Sequence, residues 1–174
     1  MGLMTCSDSD SRRRLAEMQG FTGLDDRTLS QLDPWLRFAP ALCMTWAAVG
    51  TALGSAVVLG LLVPFAVAGI VGTRHPFDAI YEHGIRPRLG TPSIPRYGTP
   101  RRFACALAAV WLGAASTAFY LGDTALGYVL GASLAAAAAV PTFTGFCIPS
   151  WIYAKLRREP HLSRSKDGSA FAQR

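Results

Sequence analysis

The chain has 174 residues, 51% of them apolar and only 16% charged, with a formal net charge of +6. The charged share lies well below the roughly 25% usual for soluble proteins. It excludes an ordinary soluble domain as the first reading. The basic excess could suggest nucleic acid, but no basic motif interleaved with aromatics is present, and nucleic acid is set aside as a partner.

Residues 1–33 are polar and mixed in charge and are expected to form a flexible cytoplasmic N-terminal tail. Arg12-Arg13-Arg14 is followed by Leu-Ala-Glu and not by an apolar core, so it does not read as a signal peptide. Asp33-Pro34 reads as an N-cap followed by proline at the first helical position, starting the first span.

Between Arg37 and Arg74 lie 36 residues without a charge. A single helix of that length would measure about 54 Å against a hydrocarbon core near 30 Å. Two arms divided at Gly50–Ser55 fit better, because small residues tolerate a turn there. From Phe103 to Ala154 the only charge is Asp123, and Gly122-Asp123-Thr124 carries helix-stop and helix-start signals. The expected fold is all-α, a polytopic membrane domain over 34–156 with spans near 38–53, 56–73, 102–121 and 124–147. All 17 Lys and Arg residues then fall on one side. The positive-inside rule makes that side the cytoplasm, which gives a multi-pass protein of the cell membrane with both termini cytoplasmic. Residues 157–174 are expected to form a flexible basic tail.

Arg37-Phe38 and Trp46 recur at the same spacing as Arg102-Phe103 and Trp111, and the two ten-residue stretches match at six positions. This suggests two related helical hairpins in the same orientation. The cytoplasmic loop 74–101 joins them. Pro76 starts a short interfacial helix, with Phe77, Ile80, Tyr81 and Ile85 on one face and Asp78, Glu82, His83 and Arg86 largely on the other. Prolines 87, 92, 95 and 100 then favour extended chain.

His75-Pro76-Phe77-Asp78, Gly84-Ile85-Arg86-Pro87, Gly90-Thr91-Pro92, Pro100-Arg101-Arg102-Phe103-Ala104-Cys105 and Phe146-Cys147-Ile148-Pro149-Ser150 together resemble the bacterial membrane family called domain of unknown function 4395. The resemblance covers about residues 34–156. It implies a small integral membrane protein without an established activity, and it adds nothing on mechanism.

The candidate chemistry is a thiol site at the cytoplasmic end, built from Cys105, Cys147 and His75. Cys105 follows Arg102 by three residues in the first turns of a helix, a setting that favours thiolate. With straight helices, Cys105 and Cys147 would be offset by about 9 Å along the bundle, and Cys43 would sit one turn deeper than Cys105. The competing reading is that the cysteines are packing residues. No Cys/His spacing points to zinc or iron–sulfur, and no metal or other cofactor is expected. His75, Asp78, Glu82 and His83 could serve acid–base chemistry, but a solvated helix face is the simpler reading. GxxxG pairs at Gly50/Gly54 and Gly127/Gly131 suit close packing, within the bundle or in a homo-oligomer.

Three functions follow, in order. The first is a non-enzymatic accessory or scaffold subunit that presents its basic loop to anionic lipid headgroups or a cytoplasmic protein partner. The second is a membrane component of thiol or sulfur redox metabolism. The third is a transporter subunit acting as an oligomer, which the lack of charge within the spans disfavours.

Overall fold

The computed structural model describes residues 6–72 and 74–157. The described residues form helices and connections, without a strand. They are α1 (Cys6–Met18), α2 (Asp26–Leu36), α3 (Phe38–Ala52), α4 (Ala56–Gly60), α5 (Val63–Val71), α6 (Pro76–Ile80), a π-helical turn (Tyr81–Ile85), α7 (Arg86–Leu89), α8 (Thr99–Tyr120), α9 (Thr124–Thr144) and α10 (Ile148–Arg157).

Both expected tight turns form, for local reasons. Gly54 has a φ of +57°, and the Ser55 side chain accepts from the Val58 N–H to begin α4. Gly122 has a φ of +84°, and Asp123 accepts from the Leu126 N–H to begin α9. Glycine suits both left-handed positions because it has no Cβ to clash with the backbone. The segment read as one span over 56–73 is interrupted at Leu61–Leu62. Pro64 stands in the first turn of α5, and without an N–H it cannot bond the carbonyl of Gly60.

The apolar elements α3, α4–α5, α8 and α9 pack around one core that includes Leu59, Leu62, Leu112 and Ala115. Among the described residues, only α8 and α9 are individually long and apolar enough to cross a membrane. A third crossing is added if α4–α5 and the 76–89 segment, bent by 88°, count as one. At 15 residues α3 is about 22 Å long, short of a hydrocarbon core. Val49, Val57, Val67, Val110 and Val129 are exposed on the outside of these elements. So broad an apolar exterior is rare on soluble monomers and is what an acyl-chain environment accommodates.

Side chains tie the elements in a recurring way. The Trp46 indole N–H donates to the Val58 carbonyl at 2.8 Å, and the Trp111 indole N–H donates to the Leu130 carbonyl at 3.1 Å. Arg37 donates to the Phe143 carbonyl near the end of α9. Arg102 donates to the Gly72 carbonyl at the end of α5. Of the small residues, Gly50 lies against Leu59, Gly127 against the Phe119 ring, and Gly131 against Thr51. These three pack the bundle internally.

The N-terminal region departs from the expected flexible tail. Over residues 6–36 it forms α1 and α2, and Ala16, Phe21, Leu29, Leu32 and Leu36 join Tyr81, Ile94 and Tyr97 in a second core. Leu29, Leu32 and Leu36 share one helical face, and a largely polar composition hid that stripe. The first-span start is corrected as well. Asp25, not Asp33, caps α2, and Pro34 lies inside that helix. Asp33 instead pairs with Arg37 at 2.9 Å. The expected tails over 1–5 and 158–174 lie outside the described residues.

The central segment is corrected in register. Within α6 Ile80 is exposed while Asp78 is buried, and a π-helical turn follows from Tyr81. The Glu82 side chain is also enclosed. It accepts from the Ile94 N–H at 2.7 Å and pairs with Arg86 at 2.9 Å. Of the proposed solvated face, His83 and Arg86 remain exposed. The two inward carboxylates hold the segment folded.

Candidate functional site

A cavity of about 180 Å³ lies within the bundle beside the central segment. Its walls are mostly small or aliphatic residues of α3, α5, α8 and α9. Four side chains give it chemistry: Cys43, Cys105, His75 and Arg101.

Each arrives by a local route. Cys43 is carried by α3, and Cys105 by α8 one turn beyond Arg101. Residues four apart share a helix face, so Arg101 and Cys105 reach the same wall. His75 is the N-cap of α6. Its Nδ1 accepts from the Phe77 N–H, while its backbone N–H donates to Asp78 Oδ2 at 3.0 Å. This reciprocal capping holds the ring in place. An accepting Nδ1 places the proton of the neutral ring on Nε2. Burial first, and then the positive charge of Arg101, push the His75 pKa down to about 4. His75 is therefore a neutral hydrogen-bond donor at physiological pH. Burial raises the Asp78 carboxyl above its ordinary range, against opposing pulls from Arg101 and the His75 N–H.

Gly69 brings the thiol and the imidazole together. A methyl group there would lie 2.8 Å from Cys105 Sγ and 3.0 Å from His75 Cδ2. The two side chains thus converge on the space left by the missing Cβ. The Gly69 carbonyl accepts from the Tyr97 hydroxyl at 2.9 Å. That bond ties the extended chain before α8 to α5. Burial raises the Tyr97 pKa, which keeps the hydroxyl a donor.

Arg101 is only 6% exposed. Its guanidinium carbon lies 5.1 Å from the Phe21 ring centroid and 5.3 Å from that of Tyr97. Its Nη1 is enclosed without a hydrogen-bond partner.

Of the candidates read from the sequence, Cys105 and His75 line the cavity. Cys147 is buried nearby but is not part of its lining. The expected depth offset assumed a helix running through Cys147. In fact α9 stops at Thr144, and Gly145 turns the chain left-handed with a φ of +72°. Cys43, expected one turn deeper, lines the same cavity as Cys105. Arg102 was the expected charge beside Cys105, but it is engaged with the Gly72 carbonyl. Arg101 is the residue that sequence reasoning missed, although its four-residue spacing to Cys105 was the available signal. Among the described residues, no group of three or more His, Cys, Asp or Glu side chains is arranged to hold a metal.

No curated protein and no solved structure matches the chain. One family model does match, over residues 33–158. That match takes in every residue named around the cavity except Phe21. Covering well over half of the sequence, it shows that the chain belongs to the family described as a domain of unknown function (DUF4395).

Proposed function

We propose that this protein is a multipass membrane protein of thiol chemistry, with Cys105 as its reacting group. The observation that carries the reading is the convergence of Cys105, Cys43, His75 and Arg101 on one cavity. Cysteines serving only as packing need no cation and no polar imidazole beside them. A thiolate does, because a nearby positive charge favours its formation.

The step is exchange. The Cys105 thiolate attacks one sulfur of an incoming disulfide or persulfide. The sulfur–sulfur bond of the incoming molecule breaks, a bond to Cys105 forms, and the leaving thiolate takes up the proton that Cys105 released. No outside oxidant is needed. The Nε2–H of His75 is suited to donate to the leaving sulfur, and Cys43 and Cys147 are the candidate resolving thiols.

The bundle is proposed to cross the membrane four times, as two related hairpins with the basic face in the cytoplasm. Two sets of contacts support this. Trp46 and Trp111 each bridge to the next apolar helix in the chain. Arg37 and Arg102 each bond the exit of the other hairpin's second arm. A scaffold role is the second reading, favoured by the folded platform of α1, α2 and the central segment.

Maleimide labelling of single-cysteine variants, in intact cells and in inverted vesicles, tests both readings. Cys105 should label from the cytoplasmic side. Arg101→Gln should slow that labelling by roughly tenfold. An unreactive Cys105 in folded protein would remove the thiol reading and leave the scaffold.

A further inference from the structure

Arg101 poses a physical problem that thiol chemistry alone does not resolve. A guanidinium buried this fully is costly unless it is paired. Yet its enclosed Nη1 finds no hydrogen-bond partner among the described residues. None of the described ion pairs involves it either. Asp78 is the buried carboxylate in electrostatic range. Its Oδ2, however, is committed to the His75 N–H. The Phe21 and Tyr97 rings contribute cation–π attraction, which leaves the Nη1 donor unfilled.

The same residue lines a cavity whose remaining polar groups are donors or thiols. His75, whose ring proton sits on Nε2, is one of them, and no carboxylate contributes to the wall. The electrostatics therefore select against cations. Size narrows the choice further. A volume of about 180 Å³ falls below the roughly 300–1,000 Å³ of ordinary cofactor sites, so a nucleotide does not fit. The rim includes Leu107 and Trp111 of α8 and Ala137 of α9, all exposed. The cavity thus opens sideways between these two helices.

We infer that the cavity is a binding site for a small oxyanion, held by the Arg101 guanidinium with a second hydrogen bond from His75. Arginine presents its donors as a planar fork that matches the paired oxygens of a carboxylate, phosphate or sulfur oxyanion. The lateral opening admits two sources of this chemistry: a free inorganic anion, or the headgroup of an anionic lipid lying between α8 and α9. Binding does not depend on the reactivity of the thiols, so it survives their replacement by serine even if the exchange chemistry is absent.

The test uses the full-length protein in nanodiscs, at constant ionic strength. In phosphatidylcholine discs, sulfate, thiosulfate and phosphate are titrated while thermal unfolding is followed. Saturable stabilisation is expected in the wild type and in Cys43→Ser/Cys105→Ser. Arg101→Lys should weaken apparent affinity at least tenfold, and Arg101→Gln should abolish the effect. In the lipid arm, phosphatidylglycerol replaces part of the phosphatidylcholine. Retention of that lipid in native mass spectra, lost in Arg101→Gln, would assign the site to a headgroup. Ala108→Phe fills the cavity and leaves Arg101 in place, so it decides the matter should Arg101→Gln fail to fold. Binding unaffected by Ala108→Phe would overturn the proposal. So would the absence of any saturable response to all four probes.

Discussion

At the scale of single residues, His75 joins the structure of the site to its electrostatics. Its folded-state pKa is depressed to about 4 from 6.5. Between those values the unfolded chain binds a proton that the folded chain does not. Stability therefore falls as pH drops through that window, approaching about 3 kcal/mol at its lower end. Asp78 is raised, and it acts in the opposite direction, because the folded state takes up its proton first. Asparagine at position 75 keeps a capping acceptor and removes the titration. Thermal unfolding of the purified protein should therefore fall between pH 7 and 4.5 more steeply in the wild type than in His75→Asn. Parallel profiles would show that His75 is not the buried neutral group described. Glu82 offers a simpler case. Its part-buried bond from the Ile94 N–H and its exposed pairing with Arg86 predict that Glu82→Ala costs about 1–2 kcal/mol and loosens the central segment in hydrogen exchange.

At the scale of elements, glycine placement decides how closely helices approach. Gly69 admits Cys105 and His75 into the same space, and Gly131 admits Thr51 from α3. Neither obstacle is the far end of a flexible chain, so a new methyl group must push elements apart. Gly69→Ala and Gly131→Ala should each destabilise by about 1–3 kcal/mol. Only Gly69→Ala should also change the labelling rate of Cys105, which separates a site effect from a packing effect. The GxxxG pairs were visible in the sequence, but periodicity cannot say which neighbour a small residue faces. The break between α4 and α5 is likewise written in Pro64, although hydropathy alone favours one uninterrupted span.

At the scale of the whole molecule, the arrangement of arginines and tryptophans supports two hairpins. If the hairpins are equivalent, Trp46→Phe and Trp111→Phe should each lose about 1 kcal/mol, since each removes one indole hydrogen bond. A topology experiment follows from the same reading. In a cysteine-free background, Leu53→Cys and Leu121→Cys sit at the two exposed tips and should label only from outside the cell. Labelling of either tip from the cytoplasm would exclude four crossings. The N-terminal helices complete the picture. Their apolar stripe packs on Tyr81, Ile94 and Tyr97, and Phe21 stacks near Arg101. Removing residues 1–24 should therefore lower stability and expose Arg101, a result visible as faster exchange in the central segment.

The sequence by itself determined the apolar runs, the two glycine turns and the helical class. Each of these depends on neighbours along the chain: hydropathy sums over a window, and a left-handed glycine or a capping side chain acts within one turn. Tertiary structure decided what lies far apart in sequence. It brought Cys43, Cys105 and His75 to one cavity and assigned Arg101 rather than Arg102 to that cavity. It also drew the polar N-terminus into a second core. Those outcomes rest on pairings between helices, and no local window contains the partner.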